Sequence, residues 1–234
     1  MTFRALLYGP RVLLAFESVD RSGSACLIDD NGREIDFARI EGNEAEAGLV
    51  PLLDGFIRRH GRPSALAVAI GPGSFTGLRV AAVAARTLAW IEGLAVHPVV
   101  STAALAAQQG DGLWWTLMPL KRDTTFHALY RMVAGSCEII TAPQPCLDAA
   151  QPAIDPSISN SIAIGPALAQ KPGLAERWAP GVRLGSSIGV DARGVAAIAR
   201  CTPPSPWRDI LPEYGIQPAP ILQRQAQRAM PRRD

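Results

Sequence analysis

The chain has 234 residues, 48% of them hydrophobic and 19% charged, with 23 basic against 21 acidic side chains. That length buries roughly 70% of the unfolded surface, enough for one large domain or two small lobes. A net charge of +2 gives no basis for strong nucleic-acid binding or membrane attraction, and the dominance of Arg over Lys reads as compositional background.

The reactive side chains exclude more. Cys26, Cys137, Cys146 and Cys201 form no C-x-x-C pair, which points to reduced thiols rather than a disulfide framework or a thiolate metal site. His60, His97 and His127 stand alone, with no H-x-x-x-H pair, so a metal centre has little to build on. No apolar run approaches the length of a membrane span, and residues 1–4 open no secretory signal. The expectation is a soluble, cytoplasmic protein without membrane contact.

Residues 11–17 read as a buried strand, followed by a turn at 20–23 and a second strand over 24–28. Asn31-Gly32 is a hairpin signal leading into a third strand over 33–39. In the segment 44–60, Leu49, Leu52, Leu53 and Phe56 recur at helical spacing, with Glu46, Arg58 and Arg59 available for the other face. An amphipathic helix is expected there. A further apolar strand over 64–70 then runs into Gly71-Pro72-Gly73-Ser74-Phe75-Thr76-Gly77.

Glycines at a strand-to-helix junction serve positive φ or a close backbone approach. Ser74 or Thr76 can cap the following helix, whose first N–H groups would form an anion-friendly concavity. A phosphate loop, however, needs a lysine after its last glycine, and Leu78 stands there. The helix over 76–92 is apolar nearly all round, with Arg79 and Arg86 as its only charges between Leu78 and Ile91. Such a helix is covered on more than one side, either by another layer of its own fold or by a partner. Arg79 and Arg86 lie seven residues apart, within about 20° of one line, and Val83 and Trp90 continue that stripe.

A strand over 95–100 and a short helix over 101–108 complete the order β-β-β-α-β-α-β. This is the order of the ribonuclease-H-like lobe found in the actin, sugar-kinase and Hsp70 ATPase folds. In such lobes the turn after strand one often contacts phosphate, and an acid on that strand often serves metal or water. Glu17 fits that place, or is a half-buried strand-end carboxylate. Nothing at motif spacing supports the first reading.

The second half is less regular. Strands are expected over 113–119, 124–133, 138–141 and 161–165, and a helix over 191–201 with Asp191 as its cap. Trp114 and Trp115 adjoin in one strand and so point to opposite faces, one to a core and one to a lobe boundary. No internal repeat is visible, and no Ser/His/Asp or Cys/His triad can be assembled. From residue 202 prolines accumulate, and residues 221–234 carry four arginines against one acid. This tail is a solvated end or an arginine-rich contact for RNA or an acidic partner. The division expected is an N-terminal lobe over 1–108, a smaller α/β lobe over 109–216 and a basic tail over 217–234.

The stretch GPGSFTGLRVAAVAARTLA at residues 71–89 resembles the signature of the TsaB (YeaZ) family, a non-catalytic subunit of the bacterial machinery that makes threonylcarbamoyladenosine in tRNA. Weaker likeness extends over Leu13-Leu14-Ala15-Phe16-Glu17, Val100-Ser101-Thr102 and Leu211-Pro212-Glu213-Tyr214. The chain departs from the family pattern at Glu17, at Ala45, in the segment 120–125 where only Arg122 matches, and at Gly215-Ile216. It resembles a divergent member.

The resemblance implies an actin-like ATPase superfold without catalytic groups or a required cofactor, and leaves vestigial nucleotide binding open. It implies pairing with the catalytic paralogue TsaD through helices of the N-terminal lobe, recruitment of the ATPase TsaE, and contact with tRNA only through that complex. A homodimer of the isolated chain stays open. The residues placed at the interface are Arg79, Val83, Arg86 and Trp90, with helices 45–60 and 76–92 as contact elements. The alternatives are a small-molecule kinase or ATPase of the same superfold, and a glycoprotease-type metalloenzyme, which the missing histidine pair disfavours.

Overall fold

The computed structural model describes residues 11–40, 42 and 44–215. Two five-stranded sheets form its frame. The first runs from β1 (Val12–Glu17), β2 (Gly23–Asp29) and β3 (Glu34–Ile40) through helix α1 (Ala45–His60) to β4 (Ala65–Gly71). Helix α2 (Phe75–Glu92), strand β5 (Ala95–Val100) and helix α3 (Ser101–Ala107) follow. The second contains β6 (Gly112–Lys121), β7 (Thr124–Val133), β8 (Ser136–Leu147), β9 (Ile162–Ile164) and β10 (Arg183–Leu184). Short helices α4 (Ala167–Gln170) and α5 (Leu174–Trp178) lie between its last two strands, and α6 (Ala192–Ala199) follows.

The first sheet has the order β3-β2-β1-β4-β5 and the second β8-β7-β6-β9-β10. In each, an antiparallel three-strand meander is extended by two parallel strands beside its first strand. The same topology is therefore built twice, in two α/β lobes. The sequence hid this repeat because topology repeats without residue identity. The expected strand at 138–141 is part of the longer edge strand β8, while β10 and α4 and α5 carried no periodic signal long enough to read.

Alternation along the central strands decides what each face meets. Leu14 and Phe16 of β1, with Leu66, Val68 and Ile70 of β4, pack with Leu49, Leu53 and Phe56 of α1 and the alanines of α2. On the other face Ala15, Ala67 and Ala69 join a core shared with α3, α6 and the second sheet. Small residues there let helices approach closely: a Cβ on Gly194 of α6 would lie 2.2 Å from the Ala104 carbonyl of α3. Residues after 190, expected within the second lobe, thus return to the first, where α6 lies against β1 and β2. Ser205 also bridges to Val96 on the free edge of β5.

A third core fills the outer side of the second sheet around Trp115, Leu117, Leu129 and Trp178. His127 sits in it edge-on to both tryptophans, and burial lowers its pKa to about 4, so the ring is neutral at physiological pH. Trp114, the neighbour of Trp115, faces the opposite way and packs against the core between the lobes, its Nε1–H donating to the Gly110 carbonyl at 2.8 Å.

Candidate functional site

The glycine loop is a seam between backbones. A Cβ on Gly71, where φ is +131°, would lie 2.1 Å from the Glu213 carbonyl oxygen. One on Gly73 would lie 2.7 Å from the Val19 carbonyl, and one on Gly77 2.1 Å from the Ser18 carbonyl. The Ser74 N–H donates to Val19 O at 2.7 Å and the Glu213 N–H to Ile70 O at 2.6 Å. Ser74 is the cap of α2, its Oγ accepting from Gly77 N–H at 3.4 Å. The glycines therefore admit protein, namely the β1–β2 turn and the C-terminal Leu211-Pro212-Glu213-Tyr214 element. This corrects the expectation of an open concavity for an anion. Phe75 stacks on Tyr214 with centroids 4.6 Å apart, while Thr76 is exposed and Pro72 buried.

A cleft of about 600 Å³ opens between the lobes, lined among others by Asp20, Ser74, Lys121, Arg122, Lys171 and Tyr214. Its half-buried lysine is already committed. Lys171 Nζ donates to the carbonyls of Lys121 and Thr124 and to Thr125 Oγ1, each at 2.9 Å, and pairs with Asp148 at 2.6 Å. Among the described residues, no group of three or more His, Cys, Asp or Glu side chains is placed to hold a metal ion.

Glu17 is 2% exposed, fully buried rather than half-buried at the strand end, because α6 closes over it. Its Oε2 accepts from Val19 N–H at 2.9 Å and its Oε1 from Ser24 Oγ at 2.6 Å; Ser24 Oγ in turn accepts from Ala192 N–H at 2.9 Å. The carboxyl ties the β1–β2 turn to the start of α6. Burial raises its pKa from 4.5 to about 7, against the opposing effect of the two hydrogen bonds. A raised carboxyl pKa stabilises the fold below pH 4.5, and that contribution is lost as pH rises through about 7. The shift corresponds to about 3 kcal/mol. Measured by urea unfolding, wild-type stability should fall across that window relative to Glu17→Gln, which has no proton to lose. Parallel curves would show that Glu17 does not titrate there.

The sequence-predicted stripe does come to one surface. Leu78, Ala81, Ala82, Ala85 and Ala89 turn α2 onto the sheet, and its other side is uncovered: Val83 is 61% and Trp90 65% exposed. Arg79 is exposed and Arg86 half-buried. Between α1 and α2 runs a groove of about 690 Å³, lined by Val50, Ile57, Arg79, Val83 and Leu88 among others. Val83, Arg86 and Trp90 also line an adjoining depression with Trp207. Among the described residues, no further layer of the chain covers this face. Sequence reading missed Trp207, which lies in the proline-rich stretch after α6, and Val50, which shares a helix with an obvious buried stripe.

The glycine loop and α2 lie inside the stretch that matches a known family model. The family model described as TsaD, tRNA N6-adenosine threonylcarbamoyltransferase, matches residues 61–118. The tRNA threonylcarbamoyladenosine biosynthesis protein TsaB of Bacillus subtilis (strain 168) is 35% identical over 83 residues, 35% of this chain and 36% of that protein. The match thus spans little more than a third of that relative's length. Two solved structures from Pseudomonas aeruginosa share the fold at 21% identity. The first, of an uncharacterized protein with similarity to peptidase YeaZ, superposes with a TM-score of 0.75 over 88% of this chain and 100% of its own. The second, YeaZ, gives 0.72 over 86% and 100%. With the glycine loop and the long alanine-rich helix inside the matched residues 61–118, and a fold shared over most of its length with the two Pseudomonas structures, the chain resembles the TsaB/YeaZ family.

Proposed function

We propose that this protein is the non-catalytic scaffold subunit required for forming threonylcarbamoyladenosine next to the anticodon of tRNA. It acts by pairing with the catalytic paralogue TsaD and supports binding of the ATPase TsaE. The observation that carries this reading is the uncovered apolar face of α1 and α2. Contiguous exposed apolar surface on an otherwise well-packed chain marks an interaction site, and Val50, Val83, Trp90 and Ile91 are all exposed there. Arg79, Val83, Arg86 and Trp90 are the contact residues in this proposal, and tRNA is met through the complex. The place of action is the cytoplasm; no described helix is long and apolar enough to cross a membrane.

The test is co-purification of this chain with the TsaD and TsaE proteins of its own organism, singly and together. A threonylcarbamoylation assay with and without this chain completes it. A stable pair whose tRNA modification requires this chain is the expected result. Self-association through the same face would appear as a homodimer that TsaD dissociates. The interlobe cleft favours a second reading, an ATP-dependent kinase or ATPase. Nucleotide turnover by the isolated chain, with no TsaD association, would establish that reading instead. The internal engagement of Lys171 weighs against it.

A further inference from the structure

We infer that the partner-binding face continues beyond α2 onto the C-terminal segment that carries Trp207 and Arg208, and that the protein surface received there is apolar and bordered by carboxylates. The inference rests on the assignment of α1 and α2 as the partner face.

The segment is firmly placed. Ser205 N–H donates to Val96 O at 2.7 Å, the His97 ring bonds the Thr202 carbonyl at 2.7 Å, and Ile210 is fully buried. This seating holds Trp207 beside the last turns of α2, its ring centroid 6.3 Å from that of Trp90. A depression of about 340 Å³ between them shares Val83 and Thr87 with the α1/α2 groove. Past Trp90 a further hollow of about 420 Å³ is edged by Pro204 and Pro206. Groove, depression and hollow form one continuous surface.

Arginines predominate among its charges. The Arg208 guanidinium lies 4.4 Å from the Trp207 ring centroid and that of Arg86 5.9 Å from it, while Arg79 lies 5.3 Å from the Phe75 ring. Among the described residues none of these three arginines pairs with a carboxylate. Of the acids nearby, Asp54 is engaged by Arg58 at 2.7 Å and Glu92 by Arg62, while Asp209, next to Arg208 in the chain, is exposed. A guanidinium stacked on an aromatic ring keeps its N–H fork free for a carboxylate. Tryptophan and arginine around a desolvated centre are also the composition of interface hot spots. A single-stranded RNA could stack on the same rings. The groove, however, is lined mostly by apolar side chains, Val50, Ile57, Val80, Val83 and Leu88 among them, with Arg79 as its one basic residue; a phosphate backbone finds little there, and this favours a protein.

The experiment measures affinity for the purified TsaD protein of the same organism, with wild type, Arg86→Glu/Arg208→Glu, Trp207→Ala and Val83→Glu. Thermal melts confirm that each is folded. The double reversal should weaken binding about 100-fold or more, and Trp207→Ala about tenfold or more. Wild-type affinity should fall between about 0.1 and 0.5 M salt, and the double variant should lose that dependence. If Val83→Glu abolishes pairing while the other two variants bind like wild type, the extension is wrong and the α1/α2 reading stands. If Val83→Glu also binds like wild type, the underlying reading falls with it. If the double reversal removes binding of labelled tRNA to the isolated chain but leaves TsaD affinity intact, the occupant is RNA and the inference is overturned.

Discussion

Gly77→Val should cost about 3–4 kcal/mol of stability and lower the melting temperature by roughly 8–15 °C for a chain of this size. A Cβ at position 77 would lie 2.1 Å from the carbonyl oxygen of Ser18, and the obstacle is main chain at the end of the central strand, not a side chain that can swing aside. Relief requires α2 to lift or the β1–β2 turn to move, and each answer breaks something. Lifting α2 opens the core made with Phe16, Leu66 and Val68. Moving the turn strains the hydrogen bond from Ser74 N–H to Val19 O and the two that hold the Glu17 carboxyl. Because the cost is one of packing, added nucleotide should not rescue the variant. Gly42→Val is the control: nothing lies within 4 Å of a Cβ there, although its φ of +73° still adds backbone strain of about 1 kcal/mol. Equal melting temperatures for Gly77→Val and wild type would mean that the seam is looser than its geometry.

The first lobe was legible because its elements are long and periodic. The run before the glycine loop, the Asn31-Gly32 hairpin and the spacing of Leu49, Leu53 and Phe56 each report a local rule that the tertiary structure obeys. What escaped was the meaning of closeness. Glycines at a strand-to-helix junction signal that something approaches, but sequence cannot say whether it is a phosphate or a carbonyl. The answer lay with Ser18, Val19 and Glu213, two of them far from Gly71 along the chain in one direction and one in the other. The burial of Glu17 was hidden for the same reason, since Ala192, whose N–H donates to the Oγ of its partner Ser24, comes 168 residues after Ser24 in the chain. In the second lobe the strand expected over 161–165 is β9, but the two-residue β10 carries too little pattern to read, and the strand order becomes visible only when the second sheet is set against the first. The stripe on α2 was legible as a stripe. Its exposure was not, because a helix apolar nearly all round looks the same whether its outer side meets another layer of the fold or a partner.

That ambiguity makes Val83→Glu the most informative single change for function. Val83 is 61% exposed and α2 has no packing to lose at that point, so folding stability should stay within about 0.5 kcal/mol of wild type. Glutamate is the better helix former, and Arg79 one turn earlier gives the new carboxylate a neighbour in the free chain. In the complex the same carboxylate would be carried into the centre of an apolar groove between Val50, Ile57 and Leu88. Leaving it desolvated there costs several kcal/mol, and carboxylates on the partner would add repulsion. Affinity for TsaD should therefore fall by about two to three orders of magnitude, and threonylcarbamoylation in the reconstituted system should fall with it, at an unchanged melting temperature. Val83→Ala, which removes apolar area without adding charge, should lose about tenfold or less. This ordering, Glu far worse than Ala at constant stability, separates an interface from a structural position, where truncation would lower the melting temperature along with binding. If Val83→Glu paired with TsaD as wild type does, the uncovered side of α2 would have some other occupant, and the scaffold would have to act through another face.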